Sequence, residues 1–233
     1  MNWKKLSINF ERTSFIDPMN NKTFKFYEEV LPFHAPGLAP VKFNGVWFHI
    51  NIEEKPAYKE QYDRVFGFYF LKAAVLQSGQ WFHINELGKP LYSQKYSWVG
   101  NFQQNVCAIR LNSGEYKHIN EHGKFIYEDG YRYVGDFKNS IACVKIYNNK
   151  WTHIDLNGKQ IHGKFFDELN VYHKGFAIAK NENGYFHIDL NGNNIYNEYY
   201  QNIEPFYNGF AKVKDLNNIE MIIDEQGDRV LVV

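Results

Sequence analysis

His49, His83, His118, His153 and His187 follow one another at intervals of 34, 35, 35 and 34 residues. Each closes a short motif: Trp47-Phe48-His49, Trp81-Phe82-His83, Tyr116-Lys117-His118, Trp151-Thr152-His153 and Tyr185-Phe186-His187. Each is followed by Ile and then by Asn or Asp. A sixth copy, Met221-Ile222-Ile223-Asp224, carries Ile222 in the place of the histidine. A fixed period of this length marks an array of one supersecondary unit, which buries its apolar face only by stacking on its neighbours.

Other positions keep the same metre. An aromatic recurs at Tyr27, Tyr62, Tyr96, Tyr131, Phe166 and Tyr200, with an aliphatic residue three positions on and a second aromatic three further. A strand-like segment with a small residue follows, marked by Ala39, Ala73, Ala142, Ala177 and Ala211. Turn residues such as Asn148-Asn149-Lys150 then lead into the histidine strand, and Gly88, Gly123, Gly158, Gly192 and Gly227 close a second turn. Along the histidine strand, alternation puts Trp or Tyr, His and Asp or Asn on one face, and the Ile on the other. No stretch sustains a 3.6-residue apolar period, so helix content is expected to be low.

The expected fold is therefore all-β: six tandem antiparallel repeats over residues 27–233, forming one continuous domain. Residues 1–26 are read as a degenerate half-repeat that caps the array, because Phe15-Ile16-Asp17 precedes His49-Ile50-Asn51 by 34 residues. An open, solenoid-like array is preferred. The alternative is a closed six-bladed β-propeller.

Composition narrows the partners. Lys+Arg and Asp+Glu both number 26, which argues against nucleic acid or an anionic membrane surface as partner. Aromatic residues at 18% exclude a disordered chain. The N-terminal residues show no apolar run of signal or membrane-spanning length. Cys107 and Cys143, 36 apart against a 35-residue repeat, are expected on opposite strand faces as reduced buried thiols. A cytoplasmic location is the expectation.

The order aromatic, aliphatic, aromatic, then Gly-x-Ala-x-Val, then Trp-x-x-Ile-Asp-x-x-Gly-Lys resembles the WG-repeat family of bacterial proteins, also called KWG repeats. Lys150-Trp151-Thr152-His153-Ile154-Asp155-Leu156-Asn157-Gly158-Lys159 carries the resemblance best. The resemblance covers the chain from about residue 13 onward. It implies an all-β module used for interaction and no catalytic residues. The namesake glycine after Trp is absent; Phe48, Phe82, Lys117, Thr152 and Phe186 hold its place.

One histidine per unit makes a row, whereas zinc needs three or four ligands around one point. His49, His83, His118, His153 and His187 are therefore read as structural, each hydrogen-bonded to a turn backbone or to the Asp or Asn two residues on, and no metal or cofactor is expected. Asn at positions 51, 85 and 120 argues against an acid–base dyad of His153 with Asp155. His34, His122, His162 and His173 are off this register, show no shared spacing and are read as surface residues. No catalytic set is expected. Lys117 and Thr152 at the position of Phe48, Phe82 and Phe186, and Arg64, Glu168 and Asn202 at that of Trp98 and Tyr133, suggest solvent there. These five aromatics are thus the expected binding surface, for a protein partner or, as an alternative, a carbohydrate.

Overall fold

The computed structural model describes residues 2–20, 22–103 and 105–232; Met1, Asn21, Gln104 and Val233 lie outside the described residues. The chain forms two compact units, Met1–Gly114 with His118–Phe125, and Glu115–Lys117 with Ile126–Val233. The fold is all-β, built of small antiparallel sheets in repeats. One 3-10 turn, Trp3–Lys5, is the sole helical element among the described residues.

In the first unit, β1 (Ser7–Ile8), β2 (Phe15–Asp17) and β3 (Lys22–Thr23) make a three-stranded sheet. A second comprises β4 (Glu29–Val30), β5 (Ala39–Phe43) and β6 (Val46–Ile50), and a third β7 (Arg64–Val65), β8 (Ala73–Gln77) and β9 (Gln80–Ile84). β10 (Trp98–Val99) pairs with β11 (Val106–Arg110). β12 (Tyr116–Asn120) lies where the units divide. The second unit repeats the pattern with β13 (Tyr133–Val134), β14 (Ile141–Lys145) and β15 (Trp151–Asp155), then β16 (Glu168–Leu169), β17 (Ala177–Asn181) and β18 (Gly184–Ile188). Its last sheet has four strands, β19 (Asn202–Ile203), β20 (Phe210–Lys214), β21 (Glu220–Asp224) and β22 (Arg229–Val232).

Local chemistry explains each element. Asn44-Gly45 and Ser78-Gly79 are two-residue turns with φ of 51° and 80°, and 52° and 77°. Positive φ at both positions matches the right-handed twist of the hairpin strands they join. After the histidine strand, the Asp or Asn caps the next turn. Asn85 Oδ1 accepts from the N–H groups of Leu87 and Lys89, and Asp155 Oδ1 accepts from those of Asn157 and Lys159. Only an acceptor oxygen is needed, so amide and carboxylate serve alike. Of the two partners expected for the histidine, a backbone group or this residue, it is the backbone carbonyl that bonds the ring.

Successive sheets are stitched by the returning chain. Trp47 and Tyr62 exchange backbone hydrogen bonds of 2.9 Å, which brings the Tyr62 ring to 6.1 Å from Phe82 of the next hairpin. The Tyr62 hydroxyl donates to Gly88 O at 3.1 Å. Ala39, Ala73, Ala142, Ala177 and Ala211 are all buried. The cysteines follow the same rule: both are buried, and burial pushes the Cys143 thiol up to about 12.

Candidate functional site

The five histidines are buried polar groups, none more than 1% exposed. His83 Nε2 lies 2.9 Å from Gly100 O, and Nδ1 lies 2.6 Å from the Tyr92 hydroxyl. A carbonyl only accepts, so Nε2 carries the proton, Nδ1 is the acceptor, and the tyrosine donates. His187 repeats the arrangement with Glu204 O at 2.9 Å and Tyr196 at 2.6 Å. His49 bonds Phe66 O and the Tyr58 hydroxyl. Burial holds His49, His83, His153 and His187 neutral, with pKa values near 4. Both ring nitrogens are engaged and water is excluded, so these imidazoles tie one hairpin to the first strand of the next. They have no free site for proton transfer. Among the described residues no three His, Cys, Asp or Glu side chains converge as metal ligands.

His153 departs from the pattern. Its Nε2–H donates to Asn170 O at 2.9 Å, and its Nδ1 accepts from His162 Nε2 at 3.0 Å. His162 Nδ1 in turn accepts from Lys164 N–H at 3.1 Å, which fixes both tautomers. His162 is therefore no plain surface residue: it stands where the other copies place Tyr58, Tyr92, Tyr127 and Tyr196. His34 and His173 are likewise half-buried, their rings tilted against Tyr69 and Tyr207 with centroids 4.8 and 5.0 Å apart. They are 139 residues apart, four repeats, and that spacing could have revealed their equivalence. His122 is exposed, as expected.

The five aromatics expected at the surface divide. Phe48, Phe82 and Phe186 are buried, at 9%, 3% and 2% exposure, and the expectation that they are exposed is wrong. The expectation took Lys117 and Thr152 at the same repeat position as a sign that this face meets water. It meets the tyrosine or phenylalanine of the preceding connection instead: Tyr62 on Phe82, and Phe166 on Phe186 at 6.0 Å. Thr152 at the same position is also buried, and its hydroxyl has no hydrogen-bond partner. Trp98 and Tyr133 are exposed, at 41% and 45%.

Tyr133 borders a cavity of about 440 Å³ in the second unit, lined also by Gly135, Lys138, Trp151, His173, Phe176 and Tyr207. The Tyr133 ring meets Trp151 edge-on at 5.7 Å. His173 Nε2 is buried without a hydrogen-bond partner. Aromatic and aliphatic side chains line it together with the polar side chains of Lys138, Asn170, His173 and His187, the usual make-up of a small-molecule site.

The WG containing repeat matches residues 81–114, 119–151 and 188–218. Three stretches of the chain are thus WG repeats. No curated protein matches it. Among solved structures, the computationally designed Ika8 protein is 11% identical over 98% of this chain and 83% of that one, with a TM-score of 0.52. A crystal structure of the eukaryotic initiation factor is 10% identical over 98% of this chain and 72% of that one, with a TM-score of 0.57. These likenesses bear on the fold alone.

At Phe82 and Phe186 the position after the Trp or Tyr is a packing position, and a ring stands there in place of the namesake glycine. A phenyl ring fills the space beneath the preceding aromatic. No helix among the described residues is long and apolar enough to cross a membrane.

Proposed function

We propose that this chain is a non-catalytic repeat module that docks another protein, with the turn Phe70-Leu71 as an anchor. The carrying observation is a pair of bulky apolar residues held at positive φ, 48° and 60°, and exposed at 60% and 49%. The same turn in other copies is Asn139-Ser140, Lys174-Gly175 and Asn208-Gly209, residues suited to turns and water. Left-handed backbone costs a non-glycine residue roughly 1–2 kcal/mol. Phe70 and Leu71 bear that cost while leaving much of their apolar surface in solvent. Strain of this kind concentrates where a surface is used, and exposed aromatic residues anchor protein interfaces.

The surroundings support the reading. A recess of about 330 Å³ lies among Phe70, Leu71, Lys72, Leu91, Glu121 and His122, and Lys72 and Glu121 pair across it at 3.1 Å. An apolar anchor beside a charged pair is the usual composition of an interface core and rim. Trp98 and Tyr133, the two exposed aromatics of the five, remain candidate contacts. Phe48, Phe82 and Phe186 do not.

The same proposal includes six repeats in an open, solenoid-like array and a cytoplasmic location. Small-angle scattering distinguishes an open array from a closed ring. The docking surface is tested with Phe70→Asn/Leu71→Gly and with a photo-crosslinker at position 70. The variant is expected to be more stable and to lose a partner that wild type crosslinks and binds when purified. A folded variant that binds that partner unchanged would sink the reading.

A further inference from the structure

Phe66 and Gly135 occupy the same repeat position, two periods apart. Their backbones are held alike: Phe66 N–H donates to Ala74 O at 3.0 Å and Gly135 N–H to Cys143 O at 2.9 Å. Their side chains differ in what they fill. In the first unit the Phe66 ring lies on Trp81, centroids 5.5 Å apart and planes at 18°. In the second unit Trp151 is the counterpart of Trp81, and Gly135 supplies no ring. The intervening copy, Gly100, is covered differently, since a Cβ there would lie 3.1 Å from Trp98 Cη2.

Nothing in the backbone demands glycine at 135. Its φ lies outside the positive range, and an added Cβ would meet only Cys143 O, at 3.4 Å, an ordinary contact. The missing side chain instead leaves open the 440 Å³ cavity over Trp151. Among the polar groups that border that space, two are suited to an acid. His173 Nε2 is buried and unpartnered. The Lys138 side chain is exposed and makes no ion pair among the described residues. Tyr133, Phe176 and Tyr207 contribute aromatic rings to walls that also carry aliphatic side chains.

We propose that this cavity binds a small planar aromatic acid, its ring laid on Trp151 where Phe66 lies on Trp81 and its carboxylate toward Lys138 and His173. A flat ring gains both desolvation and offset stacking there. The carboxylate gains a charge-assisted bond to the ammonium. The cavity volume is that of a small-molecule site. This site goes beyond docking of a protein and does not depend on it.

Indole-3-acetate is the probe, with calorimetry and the ¹⁵N–¹H signal of the Trp151 indole as readouts. The expected result is a saturable one-to-one isotherm below about 1 mM, with the Trp151 signal shifting along the same curve. Gly135→Phe supplies the ring that Phe66 supplies in the first unit, so it is expected to fold with an unchanged or higher midpoint and to bind at least tenfold more weakly. Gly135→Ala is expected to bind as wild type. Cyclohexaneacetate, equally charged but not flat, is expected to bind at least tenfold more weakly than the probe. N-acetyltryptophanamide presents the same ring as a polypeptide would, without the acid, and is also expected to bind at least tenfold more weakly. Absence of saturable binding, a Trp151 signal that does not move, or unchanged affinity in folded Gly135→Phe overturns the site. Equal binding of N-acetyltryptophanamide overturns the acid and assigns the site to a polypeptide ring.

Discussion

His153 and His162 form an imidazole–imidazole hydrogen bond of 3.0 Å at the place where His49, His83 and His187 each meet a tyrosine hydroxyl. Burial lowers the pKa of both members of the pair. A histidine whose folded pKa lies below its unfolded value loses stability as pH falls below that unfolded value. His162→Tyr restores the hydroxyl used elsewhere and removes one such group. The stability gap between variant and wild type is expected to widen in favour of the variant from pH 7.5 to pH 5. Urea midpoints at the two pH values measure it; a constant gap refutes the role of His162.

Four buried histidines with pKa values near 4, against an unfolded value of about 6.5, make the whole chain acid-sensitive. Above pH 6.5 both states hold them neutral and they contribute no pH dependence. Between pH 6.5 and 4 the unfolded chain takes up protons that the folded chain refuses. Each group then costs at most about 1.4 kcal/mol per pH unit, or about 5.5 kcal/mol per pH unit for the four. Proton uptake on unfolding, measured at pH 5.2, is expected to approach four from these groups, and a value near zero would contradict their neutral burial.

Thr152 places a hydroxyl with no hydrogen-bond partner where Phe82 and Phe186 place rings. Thr152→Val keeps the shape and removes the unsatisfied group. A gain of about 1 kcal/mol is expected, read as a higher urea midpoint at constant m-value. A loss would mean that the hydroxyl has a partner in solution.

Phe82→Ala tests whether that residue belongs to the core or to a binding surface. Its ring is 3% exposed and packs edge-on against Tyr62. Removing it is expected to cost about 3–5 kcal/mol in unfolding free energy. A cost below about 1 kcal/mol would return the ring to the surface.

Gly88 and Gly79 separate two reasons for glycine. Both have positive φ, 76° and 77°, but a Cβ at 88 would lie 2.5 Å from Tyr58 Cγ, while one at 79 meets nothing within 4 Å. Gly79→Ala is expected to cost about 1 kcal/mol from the backbone alone. Gly88→Ala is expected to cost at least about 1 kcal/mol more, because Tyr58 must move. Equal costs in denaturant melts would show that the turn does not need the close approach.

The period, the strands and both turns were legible in the residues because they depend on local rules: alternation, positive-φ turn residues and a small acceptor side chain. Asn85 and Asp155 show the limit of that reading. Their recurrence was visible, but the bonding of each to its own turn, and not to the histidine, needed the path of the backbone. His162 was missed because it was read by type, although its place in the period is that of Tyr58 and Tyr92.

The sequence by itself determined a repeated β unit, its spacing, the place of each turn and the face of each strand side chain. Only the tertiary structure decided whether those faces meet water. Strand alternation assigns a direction to Phe82, but the Tyr62 ring that covers it comes from a segment 20 residues earlier, placed there by the Trp47–Tyr62 bridge. In the same way Gly135 reads as one glycine among many until Phe66 and Trp81 show what side chain its backbone position is able to carry. Exposure and cavity shape arise from contacts distant in sequence, which periodicity along one strand does not encode.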